Sequence, residues 1–260
     1  MRHTEKRGFV IDGLTRTGST TLAALLNCHP DIRCLIEPFH PRRFDGQFHA
    51  MALAGQSVEP VLELIWYRWV GIKHVWESTG WPFAENPKLN DEVVLGAKKV
   101  IFLRRRNLLR RSMSSLISRQ LRFWVGTRNE FYARLEDVQL RDVTPDVIIA
   151  ELKRDQEAIE RRLLLFRQHN VEAMHLFYED LYAEDITISQ RVATINGILG
   201  FLGFAAVAEG VFQREWAHRV DPNIYRWSSA DLYRRIPGIQ NIERAVGCDE
   251  TGWLFRDRAG

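Results

Sequence analysis

The sequence predicts an α/β fold in three layers, α/β/α, with a central parallel sheet, and three observations point there. Short, near-continuous apolar runs alternate with longer amphipathic ones, the pattern of strands buried on both faces between covering helices. The 260 residues are 45% hydrophobic, enough for one substantial core. No Gly/Ser- or Pro-rich linker, low-complexity tract or internal repeat interrupts the chain, so residues 1–260 read as a single domain.

Taken in order, Gly8–Asp12 reads as a buried strand and Gly18–Asn27 as a helix with Leu22, Leu25 and Leu26 turned inward. Ile32–Ile36 is a second short strand. Val61–Val70 has helical spacing, and Gly71–Trp76 reads as a strand. Lys99–Leu103 is an apolar strand, followed by an amphipathic helix over Asn107–Leu121 with Leu109, Met113, Leu116 and Ile117 on one face. Pro145–His169 is a long helix, Ala173–Phe177 a strand, and Val192–Leu202 a helix. In such sheets ligands sit at the carboxyl ends of strands. The loops after Ile11, Ile36, Ile72, Leu103 and Phe177 are therefore the places to look for chemistry.

Charge and cysteines narrow the classes. Net charge is only +3, yet all but six of the 36 basic residues are arginine, which suits bidentate oxyanion binding; a solvated or GC-biased composition would give the same excess. The polar start MRHTEKR is followed by an apolar run too short for a signal or membrane segment. Cys28, Cys34 and Cys248 form neither a paired framework nor a CxxC spacing. A reduced, cytoplasmic protein is the expectation.

"GLTRTGSTTLAALL" follows the first strand. Gly13 and Gly18 permit a tight turn that points backbone N–H groups at an anion over a helix N-terminus. Ser19, Thr20 and Thr21 add hydroxyl donors and Arg16 a cation. Ser19 stands where a triphosphatase loop carries its lysine, and no acidic pair prepares a magnesium site, so triphosphate hydrolysis is disfavoured. An ordinary Gly-rich βα turn would read similarly. In "RRRNLLRRSMSS", Arg106, Arg110 and Ser114 fall at i, i+4 and i+8 on one helical stripe, fit for a second oxyanion. A basic face for nucleic acid or solvent is the alternative.

Together these stretches resemble the PAPS-dependent sulfotransferases, whose donor is 3′-phosphoadenosine-5′-phosphosulfate. The resemblance covers residues 8–40, 97–120 and 173–204. It implies the P-loop-like sulfotransferase fold, with Arg16, Thr17, Gly18, Ser19, Thr20 and Thr21 around the 5′-phosphosulfate and no metal. Arg106 and Ser114 match the family's 3′-phosphate pair; Arg104 with Ser112 has the same spacing, but Asn107 favours the former. Tyr178, in "FYEDLYAED", falls where relatives bring an aromatic to the adenine.

"NCHPDIRCLIEPFHP" sets Glu37 at a strand end and looks most like tyrosylprotein sulfotransferases, which implies that Glu37 is the catalytic base. Pairing of Glu37 with Arg42 or Arg43 is the structural alternative. "GIKHVW" resembles the Lys-Thr-His strand of cytosolic sulfotransferases, so Lys73 matches the sulfuryl-contacting lysine. His74 comes one residue early for the histidine base and, by strand alternation, should face away from Lys73. His29 reads as bracing the turn after the first helix, and His40 as lining an acceptor pocket.

The implied activity is transfer of a sulfuryl group from PAPS to a hydroxyl acceptor, a carbohydrate or small metabolite, by metal-free in-line displacement (EC 2.8.2). A small-molecule kinase of P-loop type and a non-catalytic nucleotide- or RNA-binding module are the alternatives. The part beyond about residue 205 is expected to form a helical or loop lid, with Arg226, Ser228 or Arg234 on the 3′-phosphate. Trp66, Trp69, Trp76 and Trp81 offer either an acceptor wall or core packing.

Overall fold

The computed structural model describes residues 7–124, 126, 128–183, 185–220 and 230–255. They group into two compact units. One comprises the chain through Arg104 together with Ala158–Trp216; the other comprises Arg105–Glu157 and the chain from Ala217 onward.

The first unit holds a five-stranded, all-parallel sheet: β1 (Arg7–Leu14), β2 (Cys34–Ile36), β3 (Gly71–Trp76), β4 (Ala97–Arg104) and β5 (Ala173–Phe177), in the order β2-β3-β1-β4-β5. This is the predicted α/β class. Its strands are apolar on both sides because helices cover both. The chain leaves β1 toward the β2 edge and leaves β3 and β4 toward the β5 edge. Right-handed crossovers therefore put the outgoing helices on opposite faces. The direction of travel reverses at β1, so the crevice at its carboxyl end is where such a sheet binds ligands.

Helix α1 (Ser19–Leu26) packs over β1, β2 and β3, with Leu22, Leu25 and Leu26 buried as expected. On the other face lies the main apolar cluster. Val10, Ile72 and Val100 from the sheet meet Val61, Leu62 and Ile65 of α3 (Glu59–Trp66), and Val93 and Val94 of α4 (Leu89–Leu95). Fully burying each such side chain contributes about 1.5–3 kcal/mol. Alternate residues of β1 and β3 thus address two different environments.

Besides the single turn at Glu179–Tyr182, two longer helices of this unit escape the sequence reading. One is α2 (Gln47–Gly55), where FHAMALAG offers little polar contrast, and the other is the seven-residue α4. Helix α3 starts and ends earlier than predicted, on Pro60 in its first turn.

In the second unit, α5 (Leu108–Leu121) is followed by α6 (Arg128–Asp137), and α7 (Pro145–Gln168) supplies its residues through Glu157. Asn107 caps α5: its Oδ1 accepts from the Arg110 N–H at 2.8 Å, and its Nδ2 donates to the Trp253 carbonyl at 2.7 Å. The Leu109 N–H donates to the Thr251 carbonyl at 2.9 Å. The segment after helix Ile239–Val246 is thereby laced to the start of α5. The first unit is completed by α8 (Glu179–Tyr182) and α9 (Ile188–Leu202), the latter opened by a Thr187–Gln190 capping box.

Candidate active site

The loop between β1 and α1 is short and conformationally demanding. Arg16 has φ 66° and Gly18 φ 83°, both left-handed. Gly18 is the N-cap of α1 and offers no side chain to cap it, so the first N–H groups of the helix are left to other partners. Thr17 turns its hydroxyl back onto the Leu14 carbonyl at 2.8 Å, which braces the turn from inside. A Cβ at Gly13 would lie 2.3 Å from the Leu103 carbonyl oxygen of β4, so only glycine lets the two strands approach this closely. A Cβ at Gly18 would meet Tyr182 at 2.6 Å and Tyr178 at 2.9 Å. The Tyr182 hydroxyl donates to the Gly18 carbonyl at 3.1 Å. Two tyrosines packed at a tilt, 4.8 Å between centroids, thus lie against the loop.

Glu37 follows β2, its N–H bonded to the Lys73 carbonyl at 2.9 Å and its own φ at 50°. Non-glycine residues held left-handed concentrate at functional positions. Gln56 and Arg122 have the same sign only because they cap helix C-termini. Glu37 and Arg16 have no such excuse.

Lys73 lies on the α1 face of β3, 3% exposed. Its Nζ donates to Thr20 Oγ1 at 2.7 Å and forms a close ion pair with Glu37 Oε1. Arg43 Nε stands 3.3 Å from the other oxygen, Glu37 Oε2. Burial pushes the Glu37 carboxyl up, but Lys73, Arg43 and His40 together outweigh it and hold the group below the usual carboxylate range. Glu37 is therefore ionised at neutral pH. Burial pushes the Lys73 ammonium down, and the Glu37 carboxylate restores part of the loss. Of the two sequence readings of Glu37, the pairing with Arg43 is present, and the residue also stands beside Lys73 at the strand ends.

His74 occupies the opposite face of β3, as alternation required. It is 1% exposed, edge-on to Phe39 at 6.0 Å, and its Nε2 bonds Asn90 Oδ1 at 3.0 Å. Burial drives its pKa down to about 3. In β1, its register partner is Asp12, fully buried and 3.4 Å from Arg162 Nε of α7. Arg162 also donates to Asp91 Oδ1 at 3.0 Å and lies 4.7 Å over the Trp76 ring. Burial, only partly countered by Arg162, raises Asp12 to about 6.

Tyr178, at the end of β5, donates its N–H to the Arg104 carbonyl at 2.7 Å; the Arg104 guanidinium lies 4.6 Å over Phe177. In the second unit, Ser114 is buried and Arg106 half-buried at the two ends of the proposed stripe. Arg110, expected between them, instead donates to the Leu254 carbonyl through Nε and a terminal nitrogen, at 3.2 and 2.9 Å. Arg111 pairs with Asp155 and, at 3.3 Å, with Glu151; Ser112 faces the same acids. Much of the arginine run is thus structural. Of the expected lid residues, Arg226 and Ser228 lie outside the described residues, and Arg234 stacks at 5.6 Å on Phe255.

Three of the four tryptophans join the core, Trp66 and Trp69 against it and Trp76 within it. Trp81 alone stands by the site, its ring 5.3 Å from that of His40. His29 braces the turn after α1: its Nδ1 accepts from the Asp31 N–H and its Nε2 meets the Ala205 carbonyl, both at 3.2 Å. Sequence reasoning missed Tyr182 and Glu77, whose Oε1 accepts from the Thr15 hydroxyl at 2.8 Å. The spacing of Tyr178 and Tyr182, four apart, was the available signal for the first; nothing local marks the second.

No family model matches this chain, and no curated protein matches it. Among solved structures it is similar to a sulfotransferase from Alicyclobacillus acidocaldarius, with 18% identity and a TM-score of 0.43 over 79% of this chain and 84% of that one. It is also similar to mouse sulfotransferase SULT7A1 complexed with PAP, with 17% identity and a TM-score of 0.42 over 85% of this chain and 64% of that one. At such scores neither likeness carries an argument, and the fold stands on the parallel sheet itself.

Proposed function

We propose that this chain is a PAPS-dependent sulfotransferase acting on a hydroxyl acceptor, a carbohydrate or small metabolite. The observation that carries the reading is the grouping of a buried lysine, a strained carboxylate and the hydroxyls of a lysine-free anion loop at neighbouring strand ends. Lys73 reaches Thr20 from β3, so a cation stands at the head of α1 although the loop itself has serine at position 19. That arrangement fits a phosphosulfate: donors and one buried cation converge where the backbone turns left-handed.

Arg16, the loop N–H groups, that of Thr17 among them, and the hydroxyls of Ser19, Thr20 and Thr21 would hold the 5′ end of the donor. Arg106 and Ser114 are carried over by resemblance to its 3′-phosphate, and Tyr178 to its adenine. Bound PAPS supplies an electrophilic sulfur; transfer makes one S–O bond to the acceptor, breaks the bond to the leaving phosphate and releases adenosine 3′,5′-bisphosphate. Glu37 takes the acceptor hydroxyl proton. Its low pKa keeps it ionised, and the proton moves to it as the attacking oxygen loses electron density. Lys73 and Arg16 neutralise the charge growing on the leaving oxygen, an effect of about 3 kcal/mol per donor. His74, neutral and sealed on the far face of β3, is not assigned the proton.

The test is calorimetry with adenosine 3′,5′-bisphosphate, ATP and an RNA oligonucleotide. Preferred binding of the bisphosphate without magnesium is expected. Magnesium-dependent ATP binding would favour a kinase, and RNA binding alone a non-catalytic module. An acceptor screen with labelled PAPS follows. Among the described residues no helix is long and apolar enough to cross a membrane.

A further inference from the structure

Glu37 is held by two cations of unlike character. Lys73 is 3% exposed, rises from the middle of the sheet and is also tied to Thr20. Arg43 is 36% exposed and sits on the loop after β2, where the Arg42 N–H bonds His40 Nδ1 at 2.9 Å. Lys73 holds one carboxylate oxygen and Arg43 stands against the other, so an acceptor hydroxyl that approaches Oε2 meets the Arg43 guanidinium. The partner that an acceptor can displace is the exposed one. We propose that Arg43 is a removable cap on Glu37, lifted by the acceptor itself, so that the substrate is a ring-bearing hydroxyl compound with an anionic group near the reacting hydroxyl.

This inference rests on the sulfotransferase reading of the same site. An anion that draws the Arg43 guanidinium to itself replaces one charge-assisted bond with another and frees Oε2 to accept the proton. Arg42, exposed on the same loop, adds a second positive charge on the approach. Trp81, half-buried, lies with its ring 5.3 Å from that of His40 on the same loop. An uncharged acceptor gains nothing comparable and must compete with the ion pair. The charged groups around Glu37 are Lys73 from β3, Arg43 and His40 from its own loop, and Arg16 from the loop after β1.

Two acceptor pairs test it with labelled PAPS: 4-nitrophenyl β-D-glucuronide against its methyl ester, and 2-hydroxybenzoate against 2-hydroxybenzamide. The charged member of the sugar or the phenol pair should be favoured at least about tenfold in kcat/KM. Arg43→Gln should erase that preference by raising the uncharged member, and Arg43→Lys should largely keep it. The acid limb of the pH profile should move to higher pH in Arg43→Gln, a change that a merely structural role would not give. Equal use of both members by the unsubstituted protein, or an equal fall for both in Arg43→Gln, overturns the proposal. If no acceptor is sulfated and the bisphosphate does not bind, the sulfotransferase reading fails. The cap is then decided by the Glu37 carboxyl resonance in ¹³C-labelled protein. Its titration should move up in Arg43→Gln, and saturating glucuronide should shift it only when Arg43 is present; no shift in either case sinks the cap.

Discussion

The two faces of β3 carry two buried ionic groups, built from neighbouring residues and put to opposite ends. On the α1 face, Lys73, Glu37 and Arg43 step outward from 3% to 12% to 36% exposure, with a threonine hydroxyl among them. On the other face, Asp12, His74 and Arg162 are sealed, none more than 4% exposed, among Trp76, Phe39 and Phe83. Both hold groups whose pKa values depart from the ordinary ones. Only the first opens at the carboxyl edge of the sheet and rests on left-handed backbone. Perturbed titration marks burial; a gradient of exposure at a strand end is what distinguishes a site from a structural knot.

The sharpest way to break that contrast is Glu37→Gln. Turnover should fall by about 10²–10⁴ while bisphosphate affinity measured by calorimetry stays constant. Near-normal turnover would return the base to the far face. Next comes the sealed side. Asp12, with its pKa raised to about 6 by burial, favours the folded state most when protonated. That contribution is complete below the unfolded value near 3.8 and is lost as pH rises through about 6, a change of roughly 3 kcal/mol. Urea melts at several pH values should show a decline over this window, and Asp12→Asn should flatten it. A smaller effect is expected of Gly18→Ala, about 1–2 kcal/mol of stability from the left-handed backbone and the crowding by Tyr182, with weaker bisphosphate binding. Smallest is His74→Gln in steady-state kinetics, with kcat changed by less than about threefold and no shift of the acid limb, since the histidine is already neutral throughout the working range.

The sheet was legible because β3 and β5 are short runs, mostly apolar, whose limits coincide with those read from the sequence. Lys73 and Glu37 were legible for the same reason: strand ends and two-residue alternation locate them without any knowledge of packing. Arg162 was not. It arrives from a helix some 150 residues after Asp12, and nothing in "EAIERRLLLF" separates it from Arg161, which faces solvent. The arginine run misled in part because sequence spacing shows which residues share a stripe but not which carbonyls await them; Leu254 claims Arg110 from the far end of the chain. Helix α2 stayed hidden because alanines and a histidine blur the polar contrast on which periodicity depends.

The tyrosines that press on Gly18 tie three positions into one choice. Any descendant of this sequence that enlarges residue 18 must first shrink residue 182, and in doing so gives up the phenol that anchors the turn. Drift at this corner is therefore ordered: room opens at residue 182 before residue 18 can grow without penalty.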